Sequence, residues 1–115
     1  MTRARKATVF EQGDFLGGCD GFIFERNDLI VGYCAWKVEA EVFKVGTVRF
    51  DREQVDRKEV VRVLGMAVRR KAKALGFDSM LWTYDNPSDE TIGWAAEYLT
   101  TGKVELASMT LKYQF

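Results

Sequence analysis

The 115 residues include no histidine, one proline and two cysteines. The missing imidazole excludes Ser/His/Asp hydrolysis, Cys/His proteolysis, HExxH zinc chemistry and histidine-rich metal sites. Any general base has to be a carboxylate, lysine, tyrosine or water. Cys19 and Cys34 form neither a CxxC pair nor a disulfide framework. They read as two unbonded thiols of a reduced, cytosol-type chain, with Cys34 packed in a strand. No run approaches the roughly 20 apolar residues that span a bilayer, so no membrane role is expected. Met1 to Lys6 is basic, but no apolar segment follows it, so it is not a secretory signal and is expected to be a solvated, partly frayed terminus. There is no excess of either charge, with 17 basic against 17 acidic side chains.

What is present is 47% hydrophobic residues, enough at this length for one domain with one real core and not for two. Ala7 to Phe10 is a short β-prone run, and Gly13, Gly17, Gly18 and Gly21 punctuate a loop after it. Gly21 to Arg26 alternates, with Phe22 and Phe24 on one face and Ile23 on the other. Asn27-Asp28 is a turn dipeptide, and Leu29 to Trp36 is an apolar run that pairs with 21–26 as an antiparallel hairpin. Val42 to Phe50 is a third strand with Gly46 as a bulge. From Asp56 the period changes to that of a helix: Val60, Leu64, Val68, Ala72 and Leu75 recur on one face. Asp56 and Glu59 have capping-box spacing, and Gly76 stands at the C′ position. Phe77 to Tyr84 is the next strand, with Met80, Trp82 and Tyr84 on one face. Asn86-Pro87 opens a second helix closed by Gly102, and Val104 to Phe115 is a final strand. The expected fold is mixed α/β: antiparallel strands followed by a β-α-β-α-β unit, with a parallel crossover from strand 42–50 to strand 77–84.

Several strings in this order resemble the GNAT acyltransferase superfamily. Asp28-Leu29-Ile30-Val31-Gly32-Tyr33 is similar to the acidic turn and "IVGY" strand of that family. Ala72-Lys73-Ala74-Leu75-Gly76-Phe77 resembles the "A-x-x-x-G-F" that ends its long helix, and Tyr98-Leu99-Thr100-Thr101-Gly102 keeps its Y-x-x-x-G spacing. The resemblance covers about residues 21 to 115 and implies a GNAT fold with acetyl-CoA as the cofactor. It places backbone around Val48, Arg49 and Phe50 against pantetheine, charge from Arg57 and Lys58 near the phosphates, and Asn86 among the cofactor residues. Tyr98 matches the tyrosine that protonates the departing thiolate, a reasonable match of basicities; the other reading of Tyr98 is an aromatic packed with Trp94 on the same helix. Glu39, Glu41 and Asp85 are the nearest candidates for a base. No metal site is expected.

Two departures from the family pattern stand out. Its phosphate loop, R/Q-x-x-G-x-G/A, aligns with Asp56-Arg57-Lys58-Glu59-Val60-Val61, so Glu59 and Val61 replace both glycines. A carboxylate repels phosphate and a β-branched side chain crowds its approach, whereas glycine lets backbone N–H groups reach it. Second, only Glu11 to Asp20 fills the gap where the family places the helices of its acceptor wall. Small phage-encoded GNAT-like proteins share the size and element order.

Elsewhere, the helix 56–75 holds seven basic and two acidic side chains, a net charge of +5, with Arg62, Arg69 and Lys73 on one face. That face could meet nucleic acid or an acidic protein surface, or is simply solvated; a protein is the expected partner and nucleic acid the less expected one. Phe22 and Phe24 belong to the core and not to an RNA-stacking sheet, because the element order is not that of an RRM. The aromatic surplus leaves Trp36, Trp82, Trp94 and Phe115 as candidates for exposure.

Two functions follow. The first is a non-catalytic, phage-type structural or host-interaction protein that binds a host or virion protein. The second is a minimal acetyl-CoA-dependent N-acetyltransferase. The expected place is the cytoplasm or a virion, and a zero net charge permits a homo-oligomer.

Overall fold

The computed structural model describes residues 2–46, 48–83, 104–107 and 110–115. The elements in order are β1 (Thr2–Lys6), α1 (Val9–Phe15), β2 (Gly21–Arg26), β3 (Leu29–Glu39), β4 (Val42–Val45), β5 (Arg49–Phe50), α2 (Arg57–Ala74), β6 (Ser79–Thr83), β7 (Val104–Ala107) and β8 (Thr110–Gln114). The strands form one mixed sheet in the order β1-β2-β3-β4-β6-β8-β7, with β5 also on β3. The pair β4 and β6 is parallel, joined by α2, and the others are antiparallel. This is the expected mixed α/β arrangement. The expected helix from Asn86-Pro87 to Gly102 lies outside the described residues.

Helix α2 forms as its sequence dictates. Asp56 caps the start, and at the other end Gly76, at φ 89°, completes a Schellman turn in which Gly76 N–H donates to Lys73 and Phe77 N–H to Ala72. Val60, Val61, Leu64, Val68 and Ala72 bury one side of it against the sheet, where Phe24, Cys34, Phe43, Val45, Met80 and Trp82 complete the main core. A smaller cluster of Ala7, Leu16 and Ile23, with Tyr33 and Ala35, lies on the opposite face under α1. Strand β2 serves both faces by alternation: Phe22 and Phe24 point to the main core and Ile23 to the smaller one.

Three expectations are corrected. The basic segment 2–6 is not a frayed tail but an edge strand, paired with β2 from Thr2↔Arg26 to Lys6↔Phe22. Its side chains do what apolar alternation does elsewhere: Arg5 bonds Glu25 and both carboxylate oxygens of Glu11, and Arg3 reaches Glu25 at 3.4 Å. Residues 9–15, read partly as strand and partly as loop, form α1, started by a complete capping box between Thr8 and Glu11. The terminal strand 104–115 is two antiparallel strands, β7 and β8, with β8 beside β6.

The aromatics also distribute differently from expectation. Trp82 is fully buried, and Trp36 stacks on Phe43 at 5.2 Å with the Lys71 ammonium 5.6 Å from its ring. Among the described aromatics the most exposed is Phe10, 82% accessible, beside Val9 at 84%, followed by Phe15 at 40%.

Candidate functional site

The parallel contact of β4 with β6 is two residue pairs long, Lys44↔Leu81 and Val45↔Trp82. Beyond it the neighbouring strands part company. Residues Arg49 and Phe50 stay on β3, paired with Tyr33 and Gly32, while β6 stays on β8 through Thr83↔Thr110. Among the described residues no pairing continues between these strands past Val45 and Trp82, and the outer edge of β5 pairs with no strand; this interruption of the sheet is the wedge.

A one-residue bulge makes this possible. Trp36 pairs with Val45 and Tyr33 with Arg49, so three residues, 46–48, face two, Cys34 and Ala35. The bulge is anchored at both polar groups of Gly46: its N–H donates to Ala35 O at 2.8 Å, and its carbonyl accepts the Cys34 thiol at 3.6 Å. Burial pushes the Cys34 thiol up to about 12, so it remains a protonated donor and is no nucleophile. Gly32 lies under β5; a Cβ there would meet the Arg49 carbonyl oxygen at 2.9 Å and Phe50 Cβ at 3.1 Å. The glycine of the "IVGY" string thus admits β5 to the sheet.

After β5 the chain crosses to α2 in a tied loop. Asp51 N–H donates to Val31 O, Asp51 Oδ1 accepts Glu53 N–H at 2.9 Å, and Arg26 Nη1 donates to Gln54 O at 2.7 Å. Val55 is buried below it. The loop ends at Asp56, whose Oδ1 accepts the Glu59 N–H at 2.8 Å. A helix start offers unpaired N–H donors and a positive dipole end. Here a carboxylate of the chain itself occupies that position, with Glu59 in the same turn.

The expected site residues fall as follows. Val48, Arg49 and Phe50 lie on or beside the wedge: Val48 and Phe50 half-buried on the core, Arg49 exposed. Arg57 and Lys58 are the first two residues of α2. Asn86 and Tyr98, with Trp94 and Asp85, lie outside the described residues. Glu39 and Glu41 are at the β3–β4 hairpin, at the end of β4 away from the wedge. Glu39 bonds Lys44 at 2.9 Å and Lys37 at 3.1 Å, and the Lys44 bond above all holds its carboxyl at about 2, too weakly basic for a general base near neutral pH. Among the described residues no cluster of His, Cys, Asp and Glu could hold a metal ion, and no helix is long and apolar enough to cross a membrane.

The fold as a whole matches solved structures. An N-acetyltransferase from Staphylococcus aureus Mu50 matches over 100% of this chain and 98% of its own, with a TM-score of 0.65 at 10% identity. A Bacillus subtilis acetyltransferase in complex with CoA matches over 100% and 99%, with a TM-score of 0.66 at 10% identity. This is the GNAT fold. A mutant of the AtaT toxin bound to the C-terminus of the antitoxin AtaR shares it, over 99% of this chain and 92% of that one, at TM-score 0.56 and 11% identity. At such identities the fold is what is shared. No protein family model and no curated protein matches the chain.

Among the described residues no strand pairs with the outer edge of β5, the kind of backbone edge along which an extended ligand can lie. The first turn of α2 fits an anionic group poorly, because the Asp56 cap and Glu59 put two carboxylates at its start. Among the described residues the face opposite α2 is covered by one seven-residue helix, α1.

The sequence reasoning missed α1 and with it the exposed pair Val9 and Phe10. The signal that could have found it is Thr8-x-x-Glu11, a capping box immediately before an apolar residue run.

Proposed function

We propose that this chain is a GNAT-fold domain that does not handle acetyl-CoA efficiently and acts by binding another protein, in a phage-type structural or host-interaction role. The observation that carries the reading is the Asp56 carboxylate on the first turn of α2, backed by Glu59. Anion binding at a helix start depends on free N–H groups and positive potential, and both are reduced here. The face presented instead is apolar. Val9 and Phe10 are more than four-fifths exposed on α1, a helix held in place by its capping box, by the Arg5–Glu11 pair and by Phe15 packing on Tyr33 at 5.2 Å. Rigidly held exposed apolar side chains are the usual anchors of protein interfaces. A GNAT-fold neighbour, AtaT, is itself described bound to a segment of another protein.

The test is tagged purification with cross-linking from the native source, using the intact chain and a Val9→Asp/Phe10→Asp variant. One protein recovered in fixed proportion with the first and lost with the second supports the reading. Recovery of the chain alone in both overturns it.

The wedge itself favours a second reading, a minimal acetyl-CoA-dependent N-acetyltransferase. Val48, Arg49 and Phe50 would line the cofactor arm, Arg57, Lys58 and Asn86 would supply polar contacts, and Tyr98 would be the general acid. Acetyl transfer to an amine that disappears in Tyr98→Phe would establish it.

A further inference from the structure

We propose that the outer face of α2 binds the sugar-phosphate backbone of nucleic acid without reading its sequence. The inference goes beyond the protein-binding reading and does not depend on it. Lys58, Arg62, Arg69 and Lys73 follow one another at steps of four, seven and four residues, which keeps them on one side of α2 over about 22 Å of its axis. Lys58, Arg62 and Lys73 are exposed. Arg69 is half-buried and held in line by the Phe115 ring, 5.5 Å from its guanidinium carbon, and its buried Nε has no hydrogen-bond partner. Arg70 flanks the row and is exposed.

These cations are not balanced by the fold. Among the described residues the ion pairs belong to Arg3, Arg5, Lys37 and Lys44, all on strands, and none involves Lys58, Arg62, Arg69, Arg70 or Lys73. Of the two nearby carboxylates, Asp56 is engaged as the helix cap and Glu59 is half-buried in the first turn. Five cations on one helix with no ion pair among the described residues make a positive stripe, and a polyanion that binds it releases its own condensed counterions.

The same face lacks what a protein partner needs. No large hydrophobic residue of α2 is exposed along it; the exposed ones are Val9, Phe10, Phe15, Leu29, Ile30, Val38 and, just past the helix end, Leu75. Protein interfaces draw their energy from a desolvated apolar or aromatic centre. A stripe of charge without such anchors suits contacts to phosphate oxygens, which position a protein but do not read bases.

The experiment is fluorescence anisotropy of the full chain with a labelled random DNA duplex of about 20 base pairs, with single-stranded DNA and duplex RNA of equal length as further arms. Four phosphates neutralised on duplex DNA give a slope of log K against log salt of about −3.6, or a loss of roughly 150-fold between about 50 and 200 mM salt. Arg62→Gln with Lys73→Gln, checked by circular dichroism to be folded, should bring that slope to about −1.8. Preference among the three arms then tells which strand form the face takes. Three results overturn the proposal: no binding to any arm at about 50 mM salt, a slope unchanged in the double variant, or equally tight binding to poly-glutamate, which would make an acidic protein the occupant.

Discussion

The Asp56 carboxylate accepts the backbone N–H of Glu59 at 2.8 Å, so one of the donors at the start of α2 is directed to its own chain. A Bacillus subtilis acetyltransferase of the same fold is in complex with CoA. In this chain the contact stabilises the helix and places a carboxylate at the start of α2.

Removing the cap should therefore cost stability. Asp56→Ala is expected to lower the unfolding free energy by about 1 kcal/mol, the ordinary worth of an N-cap. Urea denaturation followed by tryptophan fluorescence checks this, and a midpoint identical to that of the parent would mean the cap contributes nothing.

The pair Arg5 and Glu11 predicts an acid-sensitive α1. The Arg5 guanidinium, together with the Thr8 backbone, holds the Glu11 carboxyl at about 2, down from an ordinary 4.5, and Arg5 also lowers Glu25. A carboxyl held low when folded binds its proton more readily when unfolded. Its contribution is complete above about pH 4.5 and lost as the pH falls toward 2. Glu11→Gln should flatten the stability curve over that window; a slope equal to the parent's would contradict the role of the pair.

Cys34 and Cys19 should differ sharply toward a thiol reagent. Cys34 is inaccessible, its thiol is raised to about 12 and it donates to Gly46 O, whereas Cys19 is half-exposed. Mass spectrometry after alkylation near neutral pH should find Cys19 modified and Cys34 intact until the protein unfolds.

At the β3–β4 hairpin, Ala40 and Glu41 have φ of 51° and 62°, left-handed values that their side chains disfavour. Replacing them with Asn-Gly, the preferred pair for this turn, should stabilise by roughly 1 kcal/mol. Thermal unfolding measures it, and a lower melting temperature would show the turn geometry to be otherwise.

Much of this architecture can be read from residue order, and the exceptions have physical causes. Asn27-Asp28 forms its turn at φ 52° and 66°, Gly46 starts the bulge, and the α2 apolar stripe with Gly76 marks that helix closely. Strand β1 escapes because it is an edge strand whose register rests on arginine–glutamate pairs and not on apolar alternation. Helix α1 escapes because seven residues with Gly13 inside and Val9 and Phe10 outward carry no amphipathic period. The β7–β8 hairpin escapes because no glycine, proline or asparagine stands between Ala107 and Thr110. At the candidate site, the family resemblance points to Val48, Arg49 and Phe50, which lie on or beside β5, and to Glu59, in the first turn of α2, while Asn86 and Tyr98 stay outside the described residues.

The most direct test of the account is calorimetric titration of the intact chain with acetyl-CoA and with free CoA at low salt. With Asp56 and Glu59 at the start of α2, no heat of binding is expected up to millimolar ligand. Micromolar binding of either would contradict the account and establish the wedge as a working cofactor site.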